Sequence, residues 1–245
     1  MLTRIRNTFL IVAAGLMLLL TGCAATQVAI EHKDLKANSK MSETIFLDPV
    51  PQNQKTVMVS IKNPSDKPVH IRNQVVASLK QKGYKVVNNP NHAHYLLQAN
   101  ILKVGEMNKA ASQSALGGGY GSSLAGAVTG VAAGSLTGSA NTAIGAGLAG
   151  GLLSMAADSL IKDVNFTMIT DIQVSERVRG LVNESTKAHL RNGSATQTSQ
   201  SSTRKSHFQR YRTRVVSNAD KVNLKFAQAR PALEAGLAHV VSGIF

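Results

Sequence analysis

The sequence predicts an α+β fold: a two-layer α/β sandwich, interrupted by a glycine-rich helical hairpin inserted in a membrane and built to assemble as a homo-oligomer. Three observations predict it. Two blocks of alternating strand and helix pattern, residues 23–109 and 162–245, each hold too few strands to stand alone, so they read as one discontinuous domain. Between them, residues 110–161 contain 12 of the chain's 20 glycines. The 48 residues separating Lys109 from Asp158 include no charge.

The first block opens with an extended segment through ETIFLDP. In KTVMVSIKN, Val57, Val59 and Ile61 alternate at period two, the mark of a half-buried strand. A helix follows in PSDKPVHIRNQVVASLKQKGY. Ser65 or Asp66 is its expected cap, Ile71, Val75, Val76 and Leu79 its apolar face, and Gly83 its left-handed end. YKVVN reads as a strand, Asn89-Pro90-Asn91 as a turn, and AHYLLQANILKVG as a further strand. In the second block VNFTMITDIQVSERV and SHFQRYRTRVVS read as strands. From about Asp220 a C-terminal helix carries Val222, Phe226, Leu233, Leu237 and Val240, with Pro231 as an expected kink.

The glycine-rich segment obeys a spacing rule that a flexible linker lacks. Gly118, Ser122, Gly126, Gly130, Gly134 and Gly138 fall every fourth residue, on one face of a helix. Leu124, Val128 and Val131 point the other way, and Ala143, Gly147 and Gly151 repeat the stripe after a turn near Asn141. Each arm holds about 20 residues, or about 30 Å of helix, the thickness of a bilayer's hydrocarbon. Stripes of small residues let helices approach closely in membranes. In water each interior glycine costs about 1 kcal/mol against alanine. The expected role of this stripe is therefore helix packing between copies within lipid.

The N-terminus sets the compartment. Arg4 and Arg6 precede an apolar run from Phe9 to Leu20, which is too short to span a bilayer and reads as a signal peptide over residues 1–22. Leu20-Thr21-Gly22-Cys23 resembles a lipobox, with Cys23 as the lipidation site carrying a covalent diacylglycerol and an N-acyl chain. Several acyl chains make a stable anchor where one would not. Cys23 is the sole cysteine, so disulfides, cysteine-ligated metals and thiol catalysis are excluded. Ala24 in place of aspartate directs an enteric-type lipoprotein to the outer membrane.

Without Arg4 and Arg6 the formal charge of +14 falls to +12 over 223 residues. That balance points to anionic partners: lipopolysaccharide phosphates and phospholipid head groups. With no Trp, 4% aromatic residues and no recognition motif, no direct nucleic-acid contact is expected. No acid stands between Glu184 and Asp220, and Arg204, Lys205, Arg210, Arg212 and Arg214 are the candidate anionic-surface contacts, against the alternative of a solvated Ser/Thr/Gln-rich loop. His92 and His94 form an incidental pair with no metal expected. GGGYGSS lacks the lysine of a phosphate loop, and no paired-carboxylate or Ser/His/Asp constellation is present. Neither an enzyme nor a dissociable cofactor is expected. HKDLKANSK (32–40) and the tract 194–206 are the candidate exposed specificity segments.

Long runs carry a family resemblance: KMSETIFLDP (40–49), VMVSIKNPSDK (57–67), KGYKVV (82–87), QANILK (98–103), LSMAADSLIKDVNFTMITDIQVSER (153–177) and YRTRVVSNADKVNLKFAQARPALE (211–234). The chain resembles the TraT family of outer-membrane lipoproteins over nearly all of its mature length. The resemblance implies a surface-exposed homo-oligomer that blocks redundant conjugative DNA transfer (surface exclusion) and confers complement resistance. Its partners would be outer-membrane lipid, lipopolysaccharide, and the donor cell's conjugation surface or pilus components. An envelope-structural glycine-zipper lipoprotein and a pore or transport component are the alternatives.

Overall fold

The computed structural model describes residues 34–124, 162–192 and 196–245. Six strands form one sheet in the order β1-β6-β5-β4-β2-β3. They are β1 (Lys36–Met41), β2 (Thr56–Lys62), β3 (Lys85–Val86), β4 (Tyr95–Glu106), β5 (Asp163–Asn192) and β6 (Thr196–Val222). The helices are α1 (Arg72–Gln81), α2 (Lys109–Gly117) and α3 (Phe226–Gly243). β2 runs parallel to both β3 and β4, and every other pairing is antiparallel.

This architecture corrects the expected sandwich with an inserted membrane hairpin. The fold is dominated by sheet: β5 and β6 run for 30 and 27 residues, against helices of 10, 9 and 18. Among the described residues no helix is long and apolar enough to cross a membrane, and no helical hairpin is inserted. The expected first arm starts as α2 and stops at Gly117. Gly119 and Gly121 adopt φ of 68° and 73°, left-handed values that a continuing helix cannot hold. Gly118 is the C-cap of α2, and Ser122 turns back toward the sheet. Gly126, Gly130, Gly134, Gly138, Gly147 and Gly151 lie outside the described residues, as does Cys23.

Alternation explains the two faces of the sheet. Val164, Phe166, Met168, Ile172 and Val174 of β5 join Val57, Val59, Tyr95, Leu97 and Ile101 in the main core. α1 covers that core with Ile71, Val75 and Leu79, and α3 with Leu233, Leu237 and Val241. The opposite face carries a small cluster of Met107, Ala115, Ile169 and Val216 beneath α2.

Local chemistry sets the boundaries. α1 begins at Arg72, not near Ser65, because Asn63 Oδ1 already accepts the amide and the hydroxyl of Ser65 in a tight turn. Gly83 ends it at φ 84°. Pro231 lies inside α3, which continues through it. Residues 36–40, expected as an exposed segment, form the edge strand β1 against β6. The Ser/Thr/Gln-rich stretch expected as a loop is strand from 196 onward.

Candidate functional site

The most constrained polar cluster sits where the glycine-rich segment leaves the sheet. Asp171 on β5 and Arg214 on β6 are paired in register and face α2. Arg214 has no solvent exposure. Its Nε donates to Asp171 Oδ1 at 2.6 Å and its Nη2 to Asp171 Oδ2 at 3.1 Å, a bidentate pair. The remaining guanidinium donors reach the segment itself: Ser122 Oγ at 2.6 Å, Ser122 O at 3.1 Å and Ala115 O at 3.3 Å. Asp171 Oδ2 also accepts the Gly121 amide at 2.8 Å. The pair thus binds backbone and side chain on both sides of the left-handed glycines. Glycine suits position 121 because its φ of 73° is a left-handed value that other residues rarely adopt.

A second set of contacts holds the base of α2. Ser112 and Thr167 hydroxyls lie 2.6 Å apart, Thr167 donates to Asn218 Oδ1 at 2.7 Å, and Asn165 Nδ2 donates to Met107 O at 2.8 Å. Beside Gly121 opens a polar hollow of about 380 Å³ lined by Ser60, Lys62, Gln98, Asn100, Tyr120 and Gln173. Arg212 lies over the Tyr120 ring, 5.6 Å from its centroid, and its Nε donates to Gln173 Oε1 at 2.8 Å.

On the helix-covered face Glu176 is 7% exposed. It accepts from Tyr95 and Tyr211 hydroxyls at 3.4 and 3.3 Å and lies 3.7 Å from His94 Nε2. Burial, and then the Glu176 carboxylate, hold the phenols of Tyr84, Tyr95 and Tyr211 above their ordinary range. Burial lowers the His94 pKa, which Glu176 opposes only in part. Tyr84, Tyr95 and Phe245 stack edge to face around the same point, joining the C-terminus to the sheet.

The candidate basic residues separate in space. Arg214 is buried in its ion pair and presents no charge to a surface. Arg210 and Arg212 both pair with Glu184. Lys205 is exposed, and the backbone of Arg204 faces that of Glu184 in register. His92 is exposed in a turn while His94 is turned inward beside Glu176, so the two do not converge. Among the described residues no group of three His, Cys, Asp or Glu side chains could hold a metal. The Asp171–Arg214 pair had one sequence signal, an acid set within the apolar alternation of TMITDIQV. Arg214 was expected at an anionic surface and Ser122 in the helix stripe, and no pattern in the sequence signalled that they meet.

These clusters bind protein to protein; their chemistry is anchoring. Residues 34–245 match the family described as enterobacterial TraT complement resistance protein. The chain belongs to that family. A TraT complement resistance protein of Escherichia coli is 41% identical over 243 residues, covering 98% of this chain and 99% of that one. Another, from strain K12, is 42% identical over 229 residues and 93% of each chain. One from Wigglesworthia glossinidia brevipalpis is 27% identical over 231 residues, covering 92% of this chain and 91% of that one. The family's description names complement resistance and no reaction.

Proposed function

We propose that this TraT family member is an outer-membrane lipoprotein, anchored through acyl chains on Cys23, whose exposed homo-oligomers obstruct redundant conjugative transfer and shield the cell from complement. The observation that carries the reading is the family match from residue 34 to residue 245, which takes in the anchored glycine loop, the sheet and its long strands alike. The lipobox at Leu20–Cys23 supports the anchor and Ala24 supports outer-membrane sorting. The clusters around Arg214 and Glu176 use their polar groups internally, as suits a body acting by position and bulk. Donor-cell surface components and lipopolysaccharide are its partners.

A mating assay tests this. Recipients expressing the chain should yield fewer transconjugants from a donor carrying the same element than recipients with an empty vector. Recipients expressing Cys23→Ala should return to the vector level. Equal yields from all three would overturn exclusion and leave an envelope-structural role. Survival in normal against heat-inactivated serum tests the complement arm separately.

A further inference from the structure

β5 and β6 outrun the sheet. β4 pairs with β5 only as far as Glu176, and β1 with β6 only as far as Val215. Past Arg177 and Phe208 the register shifts, and 11 further residue pairs follow, from Val182–Ser206 to Asn192–Thr196. At about 3.3 Å per residue this is a two-stranded ribbon about 36 Å long. Among the described residues no third strand lies along either edge.

An isolated two-stranded hairpin is marginal in water, and a long edge strand is a template for pairing. Natural edges are blunted by proline, inward charge or shortness. This ribbon contains no proline, and residues 196–203, TQTSQSST, carry no charge. Its root is nonetheless braced. The Arg177 guanidinium donates to Pro90 O at 2.9 Å and Ala93 O at 3.2 Å and lies over the Phe208 ring, while Arg210 and Arg212 converge on Glu184. The register shift places Val178–Leu181 opposite a single residue, His207, a bulge that re-aims the ribbon. Leu181 there is 58% exposed.

We infer that the ribbons of neighbouring copies pair edge to edge, the β5 edge of one chain against the β6 edge of the next. The occupant is a second copy because each chain, among its described residues, leaves both edges unpaired over the same length. When ribbons point the same way, β5 of one and β6 of the next run antiparallel, which continues the pairing within each ribbon. Such a heterologous contact repeats until a ring closes. This rests on the proposed oligomer and assigns its interface to the ribbon.

Charge gives the contact a signature. Residues 178–208 hold Arg179, Lys187, Arg191, Arg204 and Lys205 against Glu184, a formal +4. Copies brought side by side repel at low salt, and screening shortens from about 30 Å at 0.01 M to about 3 Å at 1 M. Ribbon pairing therefore strengthens with salt.

The test uses the full lipoprotein in detergent. Chains bearing Ser185→Cys are mixed with chains bearing Thr203→Cys and oxidised. Disulfide-linked heterodimers should exceed homodimers from either chain alone, and should rise between 0.05 and 0.5 M NaCl (about 14 and 4 Å of screening). A chain with residues 186–202 replaced by Asn-Gly, a two-residue hairpin turn, should keep its thermal transition but fall in mass by light scattering. An oligomer of unchanged subunit number in the shortened chain would overturn edge pairing while leaving oligomerisation standing. A wild-type monomer would overturn both. Homodimer yields equal to the heterodimer yield would likewise overturn it.

Discussion

At the residue scale, the Asp171–Arg214 pair is the point of greatest leverage. Removing one partner of a buried ion pair strands the other charge, a loss of about 3–5 kcal/mol. Arg214→Met should cost that much in urea unfolding and should also free the loop that Arg214 holds at Ser122 and Ala115. Trypsin should then cut after Lys109 faster than in the wild type while the sheet persists. An unchanged cleavage rate would remove the anchoring role. The Glu176 cluster predicts alkaline sensitivity. Tyr84, Tyr95 and Tyr211 have raised pKa values, so the fold favours neutral phenols. That stability is present below about pH 10, the unfolded value, and is lost as pH rises toward the folded ones. Tyr95→Phe should flatten the fall in melting temperature above pH 10. His94 has the opposite sign. Its lowered pKa means stability held above about pH 6.5 is lost as pH falls from there through the lower folded value, so His94→Gln should reduce the slope of melting temperature below pH 6.5. Sequence pattern located Ile71, Val75 and Leu79 as core because burial follows periodicity. It named Arg214 only as a surface contact and did not find Glu176, since long-range pairing of charges leaves no local period.

At the element scale, the existence of most strands and of α1 and α3 was legible, and their ends were not. Alternation identified β2, β4 and the first half of β5. Beyond Arg177 the text turns polar and loses its period, and each strand there continues because its neighbour supplies hydrogen bonds; such a strand cannot be read one segment at a time. The start of the glycine stripe, the part within the described residues, departs from helix for a related reason. Spacing every fourth residue is compatible with a helix, but Gly119 and Gly121 take left-handed backbone that the Asp171–Arg214 pair stabilises. α3 shows how tightly elements meet: a Cβ on Gly236 would strike Ser39 Oγ, which donates to Ser217 Oγ at 2.8 Å. Gly236→Ala should therefore loosen β1, and the loss of one hydrogen bond, about 1 kcal/mol, should cancel the similar gain that alanine brings to a helix. Ser39→Ala in the same chain should recover part of that loss. A double-mutant cycle with no coupling would place the cost elsewhere.

At the scale of the whole molecule, the proposed lipoprotein has two means of holding to a membrane: the acyl chains proposed on Cys23, and the charge of +12 that residues 23–245 carry. They differ in kind. Multiple acyl chains give an anchor indifferent to salt, whereas basic residues near an anionic surface contribute about 1 kcal/mol each and fade within a screening length. Lys205 is exposed and available, while Arg214 is spent inside the sheet and Arg210 and Arg212 share Glu184. The Cys23→Ala chain should consequently move from the detergent to the aqueous phase in Triton X-114 partition at every salt concentration. Its remaining attachment to vesicles containing lipopolysaccharide should fall as NaCl is raised from 0.05 to 0.5 M. A Cys23→Ala chain that stays in the detergent phase would mean that polypeptide, and not lipid, supplies the membrane affinity.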